Sequence, residues 1–124
     1  MKLLLLVCLL CLVSCRREKA RMQSPKADIA SIKTVLEAFQ VDCGRLPSDF
    51  EGLNALISRP ADIPAEQWHG PYLEHIPKDP WKHDYIYHYP GTHNTNSFDI
   101  YSLGPDGVSH IGGEDSDDIN NWRN

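Results

Sequence analysis

The chain has 124 residues, 41% of them hydrophobic and 23% charged, and a formal net charge of −5. That length supports one small core and leaves no room for a second. Residues 1–97 balance eleven Lys/Arg against eleven Asp/Glu, whereas residues 98–124 carry six acids and Arg123 alone, so the imbalance is local; it argues against a nucleic-acid partner, which calls for a basic stripe, and for a discrete cation site.

The chain opens with Met1-Lys2 and an apolar run of eleven residues, Leu3 to Val13, followed by Ser14-Cys15 and the basic pair Arg16-Arg17. A run of this length falls short of a bilayer core of about 30 Å as a helix and fits the hydrophobic region of a signal peptide. Leu12-Val13-Ser14-Cys15 resembles the lipobox of bacterial lipoproteins, in which the cysteine is acylated and becomes the new N-terminus. The resemblance implies a signal peptide over residues 1–14, a lipid anchor on Cys15 and a periplasmic domain; Arg16 in the next position is compatible with transfer to the outer membrane. Cys8 and Cys11 then leave with the signal, so Cys43 has no intramolecular disulfide partner. It reads as a small buried hydrophobe at a helix end.

Arg16 to Gln23 is polar and basic and reads as a stalk, so residues 15–25 are assigned to the lipidated cysteine and tether, and 26–124 to the folded domain. Ser24 as N-cap and Pro25 at the first helical position start a helix. Ile29, Ile32, Val35, Leu36 and Phe39 give it an apolar stripe, and Gly44 ends it after about five turns. Asp28, Lys33, Glu37 and Gln40 are expected on its solvated face. Ser48-Asp49-Phe50-Glu51 has the pattern of a capping box and predicts a short second helix carrying Leu53, Leu56 and Ile57 inward. Residues 59–70 read as an ordered loop, pinned by Trp68, Tyr72, Leu73 and Ile76.

After the rigid turn Pro77-Lys78-Asp79-Pro80-Trp81, the stretch Tyr85 to Tyr89 alternates with strand period. A loop through Pro90-Gly91 and Asn94-Thr95-Asn96 leads to a partner strand, Phe98 to Ser102, with Phe98 and Ile100 inward and Asp99 and Tyr101 outward. A helix followed by a hairpin predicts an α+β domain, with the long helix on one face of a small antiparallel sheet. No internal repeat is visible. Beyond the hairpin, Asp106, Glu114, Asp115, Asp117 and Asp118 fall within thirteen residues. Gathering them in a compact return is unfavourable unless a cation sits among them, and calcium is the natural candidate. An acidic solvated turn is the plainer alternative.

Several stretches in this order resemble the major pseudopilin, the G subunit, of type II secretion systems: Asp28 to Phe39, Asp42-Cys43-Gly44-Arg45-Leu46-Pro47, Glu51-Gly52-Leu53-Asn54-Ala55-Leu56, Trp68-His69-Gly70-Pro71-Tyr72-Leu73, Pro77 to Trp81, and Phe98 to Trp122. The resemblance implies a pilin-like head and a calcium ion in the C-terminal loop. Matched residue by residue, it implies ligation by the side chains of Asp106, Asp117 and Asp118 and by main-chain oxygens of Leu103 and Val108 and one near Ser116. It also implies a structural role beside other pseudopilins or secretion components. Members of the family begin with a basic leader, a Gly-Phe cleavage junction and a long hydrophobic helix. Here a lipobox and a polar stalk stand in that place, so assembly into a filament by the usual route is not expected, and a lipid-anchored calcium-binding module that does not polymerise is the alternative.

No enzyme is expected. His69, His75, His83, His88, His93 and His110 are scattered, without metalloprotease spacing or a nucleophile elbow, and read as exposed loop histidines; no small-molecule substrate is indicated.

Overall fold

The computed structural model describes residues 24–115 and 117–123. The signal segment, Cys15 and the stalk through residue 23 lie outside the described residues, as does Ser116. One long helix, α1 (Pro25–Cys43), is followed by a 3-10 helix (Gly52–Leu56) and three strands: β1 (Ile86–His88), β2 (Asp99–Ser102) and β3 (Ile119–Asn120). Among the described residues, no helix is long and apolar enough to cross a membrane.

Both ends of α1 follow from local chemistry. Pro25 occupies the first turn, where its missing N–H is no loss, and the Ser24 carbonyl takes the first bonds from the Ala27 and Asp28 amides at 2.9 and 3.1 Å. The Ser24 side chain caps nothing. At the other end Gly44 turns left-handed at φ 75° and returns its N–H to the Gln40 carbonyl, a conformation that any side chain would strain.

The stripe Ile29, Ile32, Leu36 and Phe39 is buried as expected, against Leu46, Leu53, Leu56, Ile63, Tyr85, Tyr87, Phe98 and Ile100. Each such side chain contributes about 1.5–3 kcal/mol when fully removed from water. Trp68, Tyr72, Leu73 and Ile76 do fasten the loop to this core; the Trp68 indole donates to the Ala55 carbonyl at 3.1 Å. The capping box also forms: the Glu51 amide donates to Ser48 Oγ at 3.1 Å and the Ser48 amide to Glu51 Oε2 at 3.0 Å. Arg45 meets both oxygens of Glu51 at 2.8 and 2.9 Å and reaches across to Asp62. The helix behind the box is a single 3-10 turn rather than an α-helix.

Asp28 corrects the expectation for the α1 outer face. Its side chain is buried and accepts a 2.7 Å bond from the Tyr85 hydroxyl, tying the helix to the sheet. Burial first, and the Asp28 carboxylate second, push the Tyr85 phenol well above its ordinary range. Tyr85→Phe should therefore cost about 1–3 kcal/mol in denaturant unfolding, because it leaves a buried carboxylate without its donor. The double variant Asp28→Leu/Tyr85→Phe should recover part of that loss, since removing both partners removes the orphan as well.

The sheet is antiparallel in the order β1-β2-β3. Ile86 faces Tyr101 and His88 faces Asp99 across β1 and β2, and Tyr101 faces Asn120 across β2 and β3. The third strand is absent from the sequence reading because two residues show no alternation. Asn121 extends it: its amide donates to the Ile100 carbonyl at 3.1 Å, and its side chain accepts from the Ile100 amide at 3.0 Å. All four residues of β2 are buried. The alternation is as read, with Phe98 and Ile100 in the core, but Asp99 and Tyr101 are not solvated. The returning chain lays Trp122 edge-on to Tyr101 at 5.8 Å, with Gly113 against the same ring, and the hairpin loop covers Asp99.

Candidate metal-binding loop

The acidic loop is held to the sheet end by a chain of hydrogen bonds that starts at Asp79. This buried carboxylate accepts from the Trp81 and His83 amides at 3.0 and 2.8 Å and from Ser102 Oγ at 2.8 Å. Ser102 Oγ in turn accepts from the Gly104 amide at 3.1 Å. The Pro77–Trp81 turn therefore fixes where the Gly104–Gly107 turn leaves β2. Ser, His and Asp meet here in the wrong order for a nucleophilic triad: the fully buried Ser102 hydroxyl donates to the carboxylate, not to a histidine.

Gly104 is required by two constraints at once. Its φ is 72°, and a Cβ at this position would collide with the Asp117 carbonyl oxygen and stand 3.0 Å from Asp117 Oδ2. The close approach brings the Asp117 carboxylate to the turn that carries Asp106. Asp106 Oδ1 accepts from the Val108 amide at 3.0 Å, closing that turn. The Asp117 carboxyl is held above its ordinary value, first by desolvation and then by the neighbouring charges of Asp106 and Asp118. A raised carboxyl pKa means that this crowding opposes folding as pH rises through the carboxylate range, and a cation placed among the oxygens would reverse it.

Asp118 supplies a second observation. It is only 9% exposed. Oδ2 accepts from Ser109 Oγ at 2.6 Å and from the Asp115 amide at 3.1 Å, while Oδ1 is buried with no hydrogen-bond partner among the described residues. A buried anionic oxygen without a donor is costly, and a hard cation is the usual remedy. Leu103, half-buried, and Val108, exposed, flank the turn. Among the described residues no three His, Cys, Asp or Glu side chains converge as a metal cluster; the expected ligand set draws half its oxygens from the main chain and from the vicinity of Ser116. Glu114 and Asp115 are committed elsewhere. Asp115 accepts from the His110 and Ile111 amides at 2.9 and 3.1 Å, and Glu114 meets His93.

Residues outside the expected set prove to organise the loop. Ser109 both donates to Asp118 and accepts from the Gly113 amide at 2.7 Å. Asn120 donates to the Gly113 carbonyl at 2.8 Å and accepts from the Arg123 amide at 2.8 Å. Nothing in composition or spacing marks either.

The sequence matches the family model described as type II secretion system (T2SS), protein G, over residues 13–122. The chain belongs to the type II secretion system protein G family. The protein G of Klebsiella pneumoniae is 39% identical over 108 residues, covering 86% of this chain and 73% of that protein. The protein G of Pseudomonas aeruginosa is 38% identical over 115 residues, covering 90% and 78%. In three dimensions the chain is similar to the crystal structure of the major pseudopilin from the type 2 secretion system of enterohaemorrhagic Escherichia coli, with a TM-score of 0.67 and 34% identity over 86% of this chain and 90% of that one. The head thus has the pseudopilin fold, one helix on a small three-stranded antiparallel sheet. The match to the protein G family begins two residues before Cys15.

Proposed function

We propose that this protein is a structural, non-catalytic subunit of a type II secretion system, whose head is held in its working shape by a calcium ion in the C-terminal loop. The family membership supports the first part, and Asp118 Oδ1, without a hydrogen-bond partner among the described residues and beside the crowded Asp106 and Asp117, supports the second. Asp106, Asp117 and Asp118, with main-chain oxygens at Leu103, Val108 and near Ser116, would hold the ion. Bound calcium would neutralise the carboxylates and fix the loop against the sheet end.

The same reading places a lipid anchor on Cys15, carried by the lipobox-like Leu12-Val13-Ser14-Cys15 and the short apolar run before it. The head would then face the periplasm from a membrane surface. Cys15→Ala should abolish incorporation of labelled palmitate and release the protein from the membrane fraction; unchanged labelling and fractionation would refute the anchor. Crosslinking in cells separates two roles for an anchored head. Recovery of other pseudopilins or secretion components is the expected result. Their absence would favour the free-standing calcium-binding module, for which the lipobox is the motivating observation.

A further inference from the structure

The imidazole of His93 is placed between two carboxylates. Nδ1 lies 3.1 Å from Asp99 Oδ2 and Nε2 lies 2.6 Å from Glu114 Oε1. Carboxylate oxygens only accept, so each ring nitrogen must donate. A neutral imidazole has one N–H and can satisfy one partner, leaving a lone pair against an oxygen at the other. The arrangement therefore calls for the cation. The ring also stacks on Trp122, with centroids 4.0 Å apart and planes 4° from parallel, a cation–π geometry.

This arrangement joins three parts of the chain. His93 sits in the β1–β2 loop, Asp99 on β2, and Glu114 and Trp122 on the returning C-terminal segment. We propose that His93 is a protonation-dependent clasp, which holds the C-terminal segment against the hairpin while the ring is charged and releases its Glu114 end when the ring loses a proton.

The surrounding charges agree with that role. Burial of the ring works against the charged form, but the bonds and charges of Glu114 and Asp99 outweigh it, and the His93 pKa lies above its ordinary 6.5. His88 and Tyr101 line the same cleft. His88 turns its Nδ1 to Asp49 at 3.0 Å, and burial, followed by the charges of Asp118 and Asp99, raises the Tyr101 phenol pKa above its ordinary value. Arg123 donates to the Glu114 carbonyl at 3.0 Å, on the main-chain side of that residue. Since the folded pKa is the higher one, the clasp's contribution is complete below pH 6.5 and is lost as pH rises through the folded value. Asp99 keeps its amide donors throughout, so the Glu114 end opens first.

The test is the ring-nitrogen NMR spectrum of the full chain in detergent, held in excess calcium, followed from pH 5 to 9 alongside hydrogen exchange of the Glu114, Trp122 and Arg123 amides corrected for base catalysis. The expected result is a His93 ring protonated at both nitrogens on the acid side, with a titration midpoint above 6.5 that coincides with a gain in exchange at those three amides. Glu114→Gln, a change at a partly exposed side chain, should lower the midpoint and move the gain in exchange with it. A His93 titration midpoint at or below 6.5 in the wild-type chain would overturn the proposal. So would a charged ring whose deprotonation leaves the exchange of the three amides unchanged.

Discussion

Asp99→Ala should lower the unfolding free energy by about 3–5 kcal/mol, the range for breaking a buried charge away from its partners. Asp99 is 3% exposed and gathers the hairpin loop around itself. Oδ2 accepts from the Thr92 and His93 amides at 2.8 and 2.9 Å, and Oδ1 from the Asn94 amide at 2.9 Å and its side chain at 3.1 Å. Alanine would strand three backbone donors and the His93 ring in the space beneath Trp122, and the loop could not reach water to satisfy them without lifting off β2. Burial alone would raise the Asp99 pKa. The amides of His93, Asn94 and Thr92 and the His93 ring more than offset that and hold it below the ordinary 3.8. A depressed carboxylate stabilises fully above its unfolded value and loses the contribution as pH falls through the folded one. Denaturant curves of wild type and variant should therefore lie far apart at neutral pH and draw together below pH 3.8. A difference that persists unchanged into strong acid would mean that Asp99 matters for its shape rather than its charge.

The parts of this architecture written in local periodicity were legible in the sequence, and the parts that depend on a second covering layer were not. The stripe from Ile29 to Phe39, the Pro25 start, the Gly44 stop and the Ser48/Glu51 box are local signals, and each is realised. The outer face of β2 is a different case. Asp99 and Tyr101 alternate correctly, but their cover comes from His93 on one side and from Gly113 and Trp122 on the other, in stretches with no period of their own. The available hint was an acid set between Phe98 and Ile100, just after a polar loop rich in unpaired amides. Asp28 was misread for a related reason, since its partner Tyr85 is 57 residues away. His93 reads as one scattered histidine among six until Glu114 is brought beside it. The acids of the candidate metal loop were legible as a cluster. The resemblance kept Asp106, Asp117 and Asp118 apart from Glu114 and Asp115; what the sequence did not show is that Asp115 takes up the His110 and Ile111 amides and Glu114 the His93 ring.

The crowding of Asp106, Asp117 and Asp118 is what the proposed calcium ion would relieve, and its removal should be the second large effect. A ligand that binds only the folded chain stabilises it by about 2.7 kcal/mol at a hundredfold excess over its dissociation constant. For a domain of this size that corresponds to a melting shift on the order of ten degrees. Without the ion, Asp106, Asp117 and Asp118 would repel one another around the Gly104 turn, and Asp118 Oδ1 would have no partner among the described residues. Asp117→Ala relieves part of the repulsion and removes a ligand, so the variant should melt nearer to wild type in EDTA than in calcium. The pseudopilin fold itself rests on the α1 core and would persist in both conditions, with the loss confined to cooperativity and melting point.

The most direct measurement is thermal unfolding of the full chain in calcium and in EDTA, for wild type and for Asp117→Ala. The calcium-ordered loop predicts a wild-type melting point higher in calcium by about ten degrees and a variant that responds little to either condition. Equal wild-type melting points in the two conditions would contradict it, and would make the acidic loop a solvated turn on a pseudopilin head.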